Sequence, residues 1–101
     1  HAKAIEFFRR ALRIAPHSAP ALLALGISLL QTGETAAAVT ELESAAKVEP
    51  RMRQAYYHLG RAYQALGRSR EAEVAFARVQ ELIQQEHKVE DSPLEPGPDP
   101  R

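Results

Sequence analysis

Residues 22–33 read LLALGISLLQTG, and residues 56–67 read YYHLGRAYQALG. The two segments stand 34 positions apart and agree where size matters: Leu22 falls on Tyr56, Leu25 on Leu59, Gly26 on Gly60, Leu29 on Tyr63 and Gly33 on Gly67. Within each segment the first four of these positions sit at i, i+3, i+4 and i+7, the spacing of one face of an α-helix rather than the alternation of a strand. The glycine that closes each segment suits the left-handed residue on which helices commonly end.

The same offset extends outward in both directions. Ala38 and Leu42 fall on Ala72 and Phe76, while Ala4, Phe8, Ala11, Ile14 and Pro16 fall under Ala38, Leu42, Ala45, Val48 and Pro50. The register is held nearly three times. Self-similarity at this period marks a stacked helical repeat, in which each unit buries its apolar face only against its neighbours. Two helices per unit follow: Gly33 and Gly67 end the first, Thr35 and Ser69 are the expected N-caps of the second, and Pro16 and Pro50 close it by pushing the preceding residue out of helical geometry. The pattern predicts helices over about 2–15, 20–32, 35–49, 53–66 and 69–87, and no strand.

Composition agrees with this all-α class. The 101 residues make at most one domain. They are 45% hydrophobic but only 6% aromatic, with no Trp, so the core must be built from Ala, Leu, Ile and Val packed between close helices. Thirteen basic and thirteen acidic side chains leave a formal charge of zero. A neutral chain has no overall field to hold nucleic acid or an anionic membrane, and neither is expected as a partner. There is no cysteine, so thiolate chemistry and disulfides are excluded, while the compartment stays open. The weakly polar run from Ala19 to Leu30 is interrupted by Pro20 and Gly26 and is too short for a membrane span. A start at His1-Ala2-Lys3, without an apolar signal region, reads as an excerpt of a longer protein.

In the order large apolar residue, Leu-Gly, large or aromatic residue, Gly, Ala, large apolar residue, Ala and Pro, residues 19–52 supply Leu22, Leu25-Gly26, Leu29, Gly33, Ala38, Leu42, Ala45 and Pro50. Residues 53–86 supply Tyr56, Leu59-Gly60, Tyr63, Gly67, Ala72 and Phe76, and depart at the end with Val79 and Gln84. This pattern resembles the tetratricopeptide repeat. The resemblance implies antiparallel helix pairs stacked as a right-handed superhelical α-solenoid. It divides the chain into the second helix of a truncated repeat (1–18), two full repeats (19–52 and 53–86, the last helix extended for want of the Pro) and a Pro-rich acidic tail (87–101). Four prolines and a glycine in residues 88–101 argue against regular structure in that tail.

The resemblance also implies a function: a non-enzymatic module that binds a protein, as a peptide or helix, on its concave face. Carried over position by position, that face receives Leu23, Ile27 and Leu30 from one repeat, with Pro20 and Gln31, and Gln54, Tyr57, Arg61 and Gln64 from the next, with Ala65. Two readings stand for Leu23, Ile27 and Leu30, since they suit an apolar groove and equally suit cover for a neighbouring repeat. The Lys and Asn with which one subfamily clamps a terminal carboxylate are absent, their places held by Leu23, Ile27, Gln54 and His58. An alternative function is an accessory segment of a larger enzyme or assembly protein, positioning a substrate or self-associating.

No catalytic, cofactor or metal site is expected. The four histidines, at 1, 17, 58 and 87, lack the i, i+4 pairing a metal needs, and no phosphate loop or nucleophile elbow occurs. Lys3, Arg9, Arg10 and Arg13 read as a solvated helix face. The first helix, read as lacking a preceding helix to cover Ile5, Phe8 and Leu12, predicts self-association.

Overall fold

The computed structural model describes residues 1–91. Five helices follow one another: α1 (Ala2–Ile14), α2 (Ala19–Gln31), α3 (Thr35–Val48), α4 (Arg53–Ala65) and α5 (Ser69–Asp91). Among the described residues there is no strand, and the class is an all-α helical repeat. Successive helices pack against each other, and α2 additionally touches α4. The helices two apart on the other side, α1 with α3 and α3 with α5, do not meet. That asymmetry makes α2 and α4 the tight, inner side of the stack and α1, α3 and α5 its splayed outer side.

The turns inside the two repeats are built identically. Gly33 and Gly67 have φ of 85° and 74°, a left-handed conformation that a side chain would strain. At the first turn the Glu34 and Gly33 amides donate to the Leu29 and Leu30 carbonyls at 2.9 and 3.1 Å. At the second, Arg68 and Gly67 donate to Tyr63 and Gln64 at 2.8 and 3.0 Å. This is a Schellman turn, which satisfies the carbonyls a helix end leaves free.

The expected caps need correction. Thr35 and Ser69 are the first helical residues of α3 and α5 rather than their N-caps; the N-cap of α3 is Glu34, without a side-chain bond. The turn leaves no residue to spare, because Glu34 both completes the end of α2 and opens α3 through its carbonyl, which accepts from Ala38 at 3.0 Å. A side-chain cap does occur at Ser18, whose hydroxyl accepts from the Ala21 amide at 3.3 Å, with Pro20 in the first turn of α2.

The core runs through Leu25, Leu29, Ala38, Leu42, Leu59, Ala62 and Ala72, all nearly or fully buried. Each large apolar side chain so buried contributes about 1.5–3 kcal/mol. Gly26 and Gly60 admit the second helix of each repeat, whose Leu42 and Phe76 occupy the space a β-carbon would need.

Two further expectations change. Ile5 is buried, and Phe8 and Leu12 are half-buried against the same core, because α2 covers them. The open side of α1 lies elsewhere, at Phe7 and Ile14, which are 64% and 88% exposed. The last helix runs to Asp91 rather than His87. No residue before Pro93 opposes a helix, so the change of composition set the end too early. The turns before the extension are held by buried Leu82, by Arg51 Nη1 donating to Gln85 Oε1 at 3.1 Å, and by Arg53 paired with Glu86 at 3.2 Å. The expectation of an irregular tail falls on residues 92–101, which lie outside the described residues.

Candidate protein-interaction surface

The inner side is made by two helices of opposite character. α2 contains no charged residue, and its Leu23, Ile27 and Leu30 are half-buried. Leu23 packs into the core between Leu22, Ala45 and Ala55, so it serves the interior more than the surface. Ile27 and Leu30, with Gln31 and Thr35, form one wall of a pocket of about 370 Å³, and His58, Arg61 and Ala65 of α4 form the other. Gln54 and Tyr57 line an adjoining pocket of about 280 Å³ with Arg53, Val79 and Ile83. Gln64 is exposed near the end of α4. Of the predicted residues, Ile27, Leu30 and Arg61 therefore line one pocket and Gln54 and Tyr57 the other, while Leu23, packed against the core, and Gln64, exposed, line neither.

Tyr57 and Arg61 join the pockets. Arg61 Nη1 donates to Tyr57 Oη at 3.0 Å, and its guanidinium carbon lies 5.9 Å from the ring centroid. The Tyr57 ring stands edge-on to His58 and Phe76, with centroids 5.1 and 6.2 Å away, yet the residue keeps 41% of its surface exposed. Burial, reinforced by the Arg61 charge, lowers the His58 pKa below its ordinary value of 6.5 and so favours the neutral imidazole.

His58, Thr35, Val79 and Ile83 were not expected at a site. The first faces its pocket only because α2 lies opposite, and the last two reach theirs from the second helix of the repeat. A pairing that spans helices leaves no local spacing in the sequence. Val79 did carry one signal, as a larger residue where the preceding repeat has the fully buried Ala45.

A larger groove of about 390 Å³ lies on the outer side, lined by Tyr56, Leu59, Tyr63, Glu71, Val74, Ala75 and Arg78. Its polar groups are already engaged. Tyr63 Oη donates to Glu43 Oε2 at 2.5 Å, Arg68 holds Glu71 at 2.6 Å, and Arg78 pairs with Glu81 at 2.9 Å. Tyr56 Oη donates to the Pro50 carbonyl at 2.9 Å. The inner surface differs in kind, because Arg61 makes no salt bridge among the described residues. Among the same residues no group of His, Asp or Glu is arranged to hold a metal, and no helix is long and apolar enough to cross a membrane.

A family described as tetratricopeptide repeat matches residues 23–86. No curated protein matches the chain. Solved structures do, among them one titled "MamA MSR-1 C2", which is 18% identical with a TM-score of 0.77. The match covers 81% of this chain and 47% of that one, so the chain spans about half the length of this structural relative. At that identity the likeness shows the fold.

Proposed function

Because the chain belongs to the tetratricopeptide-repeat family, whose domains generally mediate protein–protein interaction, we propose that it is a non-enzymatic module that holds a peptide or helix against α2 and α4. The observation that carries this reading is the exposed Tyr57–Arg61 pair beside the apolar wall of Ile27 and Leu30. Aromatic and guanidinium groups supply much of the energy in protein interfaces, since both cover apolar area and keep a polar handle. Fixing Arg61 on the Tyr57 hydroxyl also reduces the freedom lost on binding. The outer groove is the weaker choice, for its donors and acceptors already have partners.

The test is capture of partners by the chain, compared with its Tyr57→Ala and Arg61→Ala variants at matched thermal midpoints. A partner lost from both variants supports the inner surface. A partner retained by both places recognition elsewhere on the molecule.

A second reading, self-association, is favoured by Phe7 and Ile14 on the open side of α1. Replacing both with Glu then lowers the mass measured by sedimentation at micromolar concentration. An unchanged mass for a chain that is already monomeric removes this reading.

A further inference from the structure

Resting on the reading of α2 and α4 as the interaction surface, we infer that this surface selects a through-running peptide segment with an acidic side chain between two apolar ones. The first ground is the distribution of charge. The chain has thirteen carboxylate side chains for thirteen Lys and Arg, yet not one of the thirteen lies on α2 or α4. α2 is uncharged, and α4 contributes Arg53 and Arg61. Arg53 is paired with Glu86, which leaves Arg61 as the cation of the surface without a carboxylate among the described residues.

The second ground is what surrounds Arg61. Its pocket offers the Gln31 amide, the Thr35 hydroxyl and the imidazole of His58 around an apolar floor of Ile27, Leu30 and Ala65. Thr35 is the first residue of α3, so the free amides and positive end of that helix's dipole add to the preference for an anion. Glu34, the nearest acid in sequence, borders a different pocket with Arg9 and Arg13 of α1, and its Oε2 accepts from the Thr32 hydroxyl at 3.1 Å. A carboxylate brought to Arg61 therefore meets donors without displacing an acid of the described residues, and its bond is charge-assisted.

The third ground is that the pockets come in a pair. The residues that α4 gives to one, His58, Arg61 and Ala65, lie about 10 Å along the helix axis from those it gives to the other, Arg53, Gln54 and Tyr57. About three residues of chain in the polyproline II conformation cover that distance, and three residues per turn return the first and last side chains to the same face. Two apolar side chains so spaced enter the pockets, and an acid between them reaches Arg61. A chain that continues through both pockets presents a side-chain carboxylate rather than a terminal one.

Three synthetic octapeptides test this, titrated to millimolar concentration into the 15N-labelled chain. The first contains Leu-Ser-Glu-Leu and is capped at both ends. The second carries Gln for Glu, and the third is the Gln peptide ending in a free carboxylate after its last Leu. The Glu peptide is expected to bind about tenfold more tightly than the capped Gln peptide. Its shifts should centre on Ile27, Leu30 and Tyr57. In Arg61→Gln the ratio should fall to about one, and Arg61→Lys should recover part of it. Equal binding of Glu and Gln peptides, with those same shifts, overturns the acidic preference and leaves the interaction surface standing. Tightest binding by the free-carboxylate peptide overturns the through-running segment in favour of a chain end. Absence of shifts at these residues with every peptide overturns the preference and the surface together.

Discussion

A methyl group on Gly60 would sit 2.5 Å from Cε1 and Cζ of Phe76, and one on Gly26 would sit 2.6 Å from Cδ2 of Leu42. Alanine ordinarily stabilises a helix interior by about 0.5–1 kcal/mol over glycine. Here overpacking of about 1–3 kcal/mol outweighs that gain. Gly60→Ala is expected to lower the urea midpoint, and pairing it with Phe76→Leu to restore part of the loss. Asp at Leu25 or Leu59 should be more severe, since an unpaired buried charge costs several kcal/mol against a total of about 5–15. Circular dichroism that shows either variant as stable as the parent would contradict the register. Tyr63 supplies a prediction in pH. Burial first, then its bond to Glu43, push its pKa from 10.0 up to about 12. Folding therefore favours the protonated phenol, and that stability is fully present below pH 10 and lost as pH rises toward 12. Unfolding free energies measured from pH 8 to 12 should fall more steeply for the parent than for Tyr63→Phe. At this scale the packing glycines were legible in the sequence because they repeat in register, whereas His58 was not, because its role depends on Ile27 and Leu30 across the groove.

Among elements, α5 departs most from its counterpart α3, with 23 residues against 14. Gln84 stands where the earlier repeat has Pro50, and the helix continues through it. Gln84→Pro should end α5 near residue 83, seen as lost helical Cα shifts over 84–91. The thermal midpoint should move little. Buried Leu82 precedes the break, and the ties beyond it, Arg51–Gln85 and Arg53–Glu86, are exposed and worth about 0–1 kcal/mol. If the shifts persist, the missing proline is not what extends the helix. The order and type of all five helices were legible because period, glycine and proline agree along the chain. The caps of α3 and α5 were not, because one residue serves two helices in so tight a turn. Nor was the covered side of α1. The matching register likens Ile5 and Leu12 to Val39 and Ala46, which lie in or against the core, and only the three-dimensional neighbour α2 shows which face that is.

For the molecule as a whole, each helix is secured by its immediate neighbours and, on the inner side, by one helix further on. Stability in such an arrangement is graded along the chain. Amide exchange should be fastest in α1, which packs against α2 alone, and slowest in α3 and α4; equal protection throughout would indicate a single cooperative block. The inner surface was legible as a set of positions, but its division into two pockets was not, since that depends on how far Leu23 withdraws and how Val79 and Ile83 approach Tyr57. The packing of α2 on α4 through one repeating offset has a further consequence, for heredity. A duplicated copy of residues 19–52, spliced in after residue 52, would meet its neighbours at junctions the molecule already makes. No existing surface would need to be rewritten, and the binding face would lengthen by one unit. Unequal crossing-over within such a gene can thus yield a working protein of new length in one step, where a closed core would have to be redesigned throughout.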